Sequence, residues 1–117
     1  GGTVRLPKLI PPGVAKELIY TSKRFNGMEA ARIGFANQAY PASSLMDKAL
    51  AMAAAIAANG PLGVRAAKKV IEQTSHMAMG QAIEFSNAIR MPLNFTKDFA
   101  EALAAFKEKR KPEFRGE

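Results

Sequence analysis

The stretch T-K-D-F-A-E-A-L-A-A-F-K-E-K-R-K-P-E-F-R-G-E, residues Thr96 to Glu117, decides how the chain is read. Phe99, Ala102, Leu103 and Phe106 recur at i, i+3, i+4 and i+7, the spacing of one apolar helical face. Thr96 suits the N-cap, because its hydroxyl oxygen can accept from an amide of the first turn. Asp98 and Glu101 come early, where the positive end of the helix dipole favours carboxylates. Lys107, Lys109, Arg110 and Lys111 crowd the far end, which favours cations, and Pro112 is expected to stop the helix. Periodicity alone asks for no more than an amphipathic C-terminal helix with a solvated basic end.

The remainder also reads as helices joined by short turns, with little or no sheet. Leu6, Leu9 and Ile10 are the apolar residues of a first short helix, kept short by Pro7 and by Pro11-Pro12-Gly13. Val14 to Ser22 forms a second helix. Asn26-Gly27 marks a turn, Met28 to Ile33 a short helix, and Gly34 its left-handed terminator. Phe35 to Tyr40 is expected to be a short extended segment. Pro41 to Asn59 is the clearest long helix, with Ser44 and Asp47 spaced as a capping box and Leu45, Ala49, Met52, Ala53 and Ile56 as its buried stripe. Asn59-Gly60-Pro61 stops it and starts the next, which runs to about His76 with Val64, Ala67, Ile71 and Thr74 inward. A further helix, Ala78 to Met91, uses Ala82, Phe85 and Ile89 as its seam and ends at Pro92. The six methionines fall mostly on such seams and read as core.

Composition narrows the function. The chain has 117 residues, enough for one domain or part of one, and no cysteine, which excludes disulfides and thiolate metal sites. The longest apolar run, around Ala49–Ala58, is too short to cross a bilayer as a helix. The start at Gly1-Gly2-Thr3, without methionine or a signal-peptide pattern, reads as internal to a longer protein. A formal charge of +7 favours polyanions: nucleic acid, anionic membrane surfaces or phosphate-bearing small molecules. His76, the single histidine, closes a helix, so a capping or exposed role outweighs catalysis.

Four blocks carry a further reading. They are Gly1 to Ile10 (G-G-T-V-R-L-P-K-L-I), Ala15 to Arg24 (A-K-E-L-I-Y-T-S-K-R), Met28 to Pro41 (M-E-A-A-R-I-G-F-A-N-Q-A-Y-P), and the tail pattern T-x-D-x-x-E-x-x-x-A-F-x-E-K-R-x-P-x-F-x-G. In order and spacing they resemble the enoyl-CoA hydratase/isomerase (crotonase) family over essentially the whole chain. Ser22 stands where the family usually has glycine, and Phe35-Ala36 replaces its usual Leu-Val.

The resemblance implies the mainly α, C-terminal helical trimerisation region of a crotonase-like spiral fold, with the ββα spiral core missing from this chain. It divides the chain into residues 1–40, the end of the core-flanking helices with the short extended segment, and residues 41–117, a trimerisation and CoA-covering region. The implied substrate is an acyl-CoA thioester and the implied reaction is water addition to a 2-enoyl-CoA, in fatty-acid or branched-chain amino-acid breakdown, or isomerisation. It implies a homotrimer or hexamer, in the mitochondrial matrix of a eukaryote or the cytoplasm of a bacterium. The family's catalytic glutamates and oxyanion-hole donors belong to positions before the first block, so no catalytic residue is assigned here. The Phe and Lys of the A-F-x-E-K block match Phe106 and Lys109, which the resemblance places near the adenine and phosphates of CoA; spaced by three, they are expected to share a helix face. Phe106 fits core packing equally well, and Lys109 fits a solvated role. No cofactor or metal is implied. The alternative is a basic helical module binding nucleic acid, since one family branch includes an AU-rich RNA binder. Against it, the basic residues lack interleaved aromatics for base stacking.

Overall fold

A computed structural model describes residues 1–117. Side-chain caps, prolines and left-handed residues mark several of the element boundaries. The order is α1 (Gly2–Leu9), α2 (Pro12–Thr21), α3 (Gly27–Arg32), α4 (Ala42–Ala57), α5 (Pro61–Thr74), α6 (Met79–Arg90), a 3-10 turn (Met91–Phe95) and α7 (Lys97–Glu108), with no strand. The expected extended segment at residues 35–40 is instead a bend and irregular backbone. Its alternation is too poor to hold a strand, and no other strand exists to pair with it.

The chain divides into two compact units, Gly1–Leu50 and Ala51–Glu117, with α4 running through the division. The first unit has a core of Ile10, Ala15, Leu18 and Ile33, flanked by Leu6, Val14 and Phe25. Phe25 and Phe35 meet edge to face, their centroids 5.8 Å apart at 82°. Asn26 caps α3 by accepting the Glu29 amide at 2.9 Å. The α3 terminator is Gly34 at φ 80°: its amide reaches the Ala31 carbonyl, and the Phe35 amide reaches the Ala30 carbonyl. This paired 5→2 and 6→1 pattern needs a left-handed residue at that point. Ser22 ends α2 in the same left-handed region, at φ 52°. The family's usual glycine at that position therefore has a conformational reason.

In α4 the structure corrects two expectations. The helix starts at Ala42, so Ser44 lies inside its first turn and donates to the Pro41 carbonyl at 3.3 Å instead of capping. The stripe of Leu45, Met52 and Ile56 is exposed, because nothing in this chain packs over it. All six methionines are likewise exposed rather than core.

The second unit packs α5, α6, the 3-10 turn and α7. Asn59 closes α4 by donating to the Ala55 carbonyl at 2.7 Å, and Gly60 and Pro61 open α5. On α5 the half-buried residues include Val64, Ala66, Val70 and Thr74, whereas Ala67 and Ile71 are exposed. The inward face is thus rotated from the expected one, while Arg65, Lys68 and Lys69 do point outward. Pro92 has no amide to continue α6, and the backbone tightens there into the 3-10 turn. On α6, Ala82, Phe85 and Ile89 are half-buried, as their spacing predicts.

Candidate functional site: the last helix and its returning tail

Thr96 caps α7 as read from sequence, its hydroxyl oxygen accepting the Phe99 amide at 3.2 Å. The other end differs. The helix stops at Glu108, four residues before Pro112, with Lys109 left-handed at φ 52° and ψ 37°. The Lys109 amide donates to the Phe106 carbonyl at 3.3 Å and the Arg110 amide to the Ala105 carbonyl at 3.0 Å. These two bonds satisfy carbonyls the helix would otherwise leave orphaned. Lys109, Arg110 and Lys111 therefore lie beyond the helix, and Phe106 and Lys109 do not share a helical face.

The buried face of α7 is also not the apolar stripe. Phe99, Leu103 and Phe106 are 39, 49 and 84% exposed, while Asp98 and Ala105 are buried. The reason is the tail, which folds back along the helix and brings its own hydrogen-bond donors. Asp98 accepts the Arg115 amide at 2.8 Å and the Gly116 amide at 2.9 Å, one on each carboxylate oxygen. Its own amide donates to the Glu117 main-chain oxygen at 2.9 Å. One turn on, Glu101 accepts the Glu113 amide at 2.8 Å and both terminal nitrogens of Arg110, at 2.5 and 2.9 Å. Arg110 also donates through Nε to Glu108 at 2.6 Å. Such forked, charge-assisted bonds fix geometry as well as adding energy.

Several fixed letters of the tail pattern now have a task. Asp98 and Glu101 collect tail amides, Arg110 closes the fork, and Gly116 turns at φ 78°. Phe114 lies against Gly60, where an added Cβ would stand 3.5 Å from its ring. From sequence the two carboxylates appear only as helix-dipole partners. Their i, i+3 spacing on one face, opposite a Gly-containing tail, is the signal that marks them as tail acceptors.

Two clefts flank this strap. One, of about 480 Å³, is lined by charged residues including Lys97, Glu101, Arg110, Lys111 and Arg115. The other, of about 420 Å³, is mostly apolar, with Leu62, Val64, Leu93, Phe99, Ala102 and Phe114 in its wall. Phe106 and Lys109 line neither and face outward. The Phe106 ring thus takes no part in this chain's own core, which removes the packing reading within the chain.

Two carboxylates, Glu29 and Glu101, are each committed to a guanidinium partner. The Arg110 fork, helped by the Glu113 amide, pulls the Glu101 carboxyl down to about 2. Arg32 beside Glu29 lowers that carboxyl too. A base held so far below neutral pH is a poor proton acceptor. His76 lies in the exposed turn after α5.

An all-helical chain with a carboxylate-held basic tail defines a helical module. All of residues 1–117 match the model of the Enoyl-CoA hydratase/isomerase family, and the chain belongs to that family. A Bacillus subtilis (strain 168) relative named as an enoyl-CoA hydratase/isomerase is 46% identical over 99% of this chain and 45% of its own length. Carnitinyl-CoA dehydratase of Proteus mirabilis (strain HI4320) is 38% identical over 99% of this chain and 46% of its own. The crystal structure of an enoyl-CoA hydratase from Bacillus anthracis superposes with a TM-score of 0.95 at 42% identity, covering 100% of this chain and 45% of that one. The chain thus spans less than half the length of these relatives.

Proposed function

We propose that the chain is the C-terminal helical part of an enzyme acting on acyl-CoA thioesters, and that it supplies assembly contacts and part of the CoA site. The observation that carries this reading is the match of all 117 residues to a family whose named relatives process CoA thioesters, over less than half of each relative. The reaction we favour is water addition to a 2-enoyl-CoA. That chemistry needs a positioned carboxylate to transfer a proton and donors aimed at the developing thioester oxyanion. Glu101, the carboxyl with the most elaborate surroundings here, is committed to Arg110 and the tail. The proton-transferring groups are accordingly assigned to the rest of the protein.

Phe106 and Lys109 meet the needs of the nucleotide end of CoA. An exposed aromatic face suits a purine, and an ammonium on a flexible stem suits a phosphate. The uncovered apolar faces of α4 and α7 suit packing against other parts of a homotrimer or hexamer. The test is an assay of the purified chain with a short 2-enoyl-CoA, repeated with the separately expressed remainder of the protein added. No turnover alone and turnover on mixing are expected. Turnover by the chain alone would overturn this division of labour.

A further inference from the structure

The backbone around Lys109 is tethered on both sides. A left-handed lysine is disfavoured by roughly five- to thirtyfold relative to the right-handed helical region, because Cβ crowds the carbonyl oxygen. Neighbouring bonds hold it there nonetheless. On its N-terminal side the Phe106 and Ala105 carbonyls take the Lys109 and Arg110 amides. On its C-terminal side, the Arg110 guanidinium is gripped by Glu101 through two nitrogens and by Glu108 through the third. The same Glu101 takes the Glu113 amide, so the chain cannot slide past the fork without breaking it.

We infer that Glu101 and Arg110 form a positioning clamp for Lys109, holding its backbone left-handed so that the ammonium is presented to an anionic ligand on the outer face. This rests on the reading of Lys109 as a phosphate contact. Neither clamp residue need touch the ligand. Glu108 precedes Lys109 in the chain, and its carboxylate is engaged by Arg110 at 2.6 Å. A flexible ammonium would reach phosphate from many conformers, but each would first have to be selected, and the apparent affinity falls with the fraction that is competent.

The test uses the whole enzyme and two probes: CoA, and a pantetheine thioester lacking the nucleotide. Lys109→Ala is expected to weaken CoA binding by about tenfold or more, the range of a bond to a charged group, and to leave the pantetheine thioester unchanged. Lys109→Gly should do the same while keeping the left-handed backbone. Glu101→Gln retains an acceptor for the Glu113 amide but loses the charged fork. It should weaken CoA binding by about three- to tenfold when Lys109 is present, and have no further effect on the Lys109→Ala background. Arg110→Lys, which keeps the charge without the planar fork, should behave like Glu101→Gln. Lys109→Ala being effective while Glu101→Gln and Arg110→Lys are silent would overturn the clamp alone. So would equal losses from Glu101→Gln on both backgrounds, or equal losses for both probes. CoA binding untouched by Lys109→Ala would overturn the phosphate reading and the clamp with it.

Discussion

Ser22 shows how much one residue's backbone can cost. It ends α2 at φ 52°, where an L side chain is strained by about 1–2 kcal/mol and glycine is not. Glycine returns part of that gain, about 0.5–1 kcal/mol, through its freer unfolded chain. Ser22→Gly should therefore stabilise the first unit by roughly 0.5–1 kcal/mol. Urea unfolding followed by circular dichroism checks this, and an unchanged or lowered midpoint would show that the Ser22 hydroxyl contributes more than the structure assigns it. Lys109 shares the conformation but differs in surroundings, because a fork and a strap hold its neighbours. The same geometry thus arises by local concession at one site and by long-range tethering at the other.

For α7 and its tail, the governing feature is a carboxylate ladder on one helical face. Asp98 and Glu101 take three tail amides between them, so the strap is held by main-chain donors that no tail substitution other than proline removes. Proton linkage follows from Glu101. Its folded carboxyl titrates at about 2, below the ordinary value of 4.5, so its contribution is fully present above 4.5 and is lost as pH falls toward 2. The amide resonance of Glu113, which reports on Oε1 directly, should shift with a midpoint near 2 in an NMR titration. A midpoint near 4.5 would mean that the fork is open in solution. The Glu101→Gln chain should show no such step.

Taken whole, the molecule exposes more surface than its mass warrants. Its accessible surface is 9364 Å² at 12.6 kDa. A compact monomer of that mass exposes about 6,200 Å², and two separate compact halves would together expose about 7,500 Å². The excess coincides with uncovered apolar side chains such as Leu45, Leu50 and Ile56 on α4, and with a core in which no large side chain is fully buried. The isolated chain is accordingly expected to self-associate, or to unfold with little cooperativity and bind a hydrophobic dye. Sedimentation equilibrium with calorimetry decides the matter. A monomer with one sharp unfolding transition would show that the chain's own packing is sufficient as it stands.

The sequence by itself determined the helices, most of their ends and the family. The Thr96, Gly34 and Gly60-Pro61 signals act through hydrogen bonds and φ preferences spanning three to five residues, so they are legible one window at a time. Tertiary structure alone decided which faces are covered and where α7 stops. The amides of Glu113, Arg115 and Gly116 lie 12, 17 and 18 residues from the carboxylates that bind them, beyond any helical period. A carboxylate near a helix start serves the dipole equally well whether or not a tail returns to it. For the same reason Phe106 at i+7 falls on the apolar face, though its ring faces outward: periodicity fixes which residues share a face, and only the folded neighbours determine what, if anything, covers it.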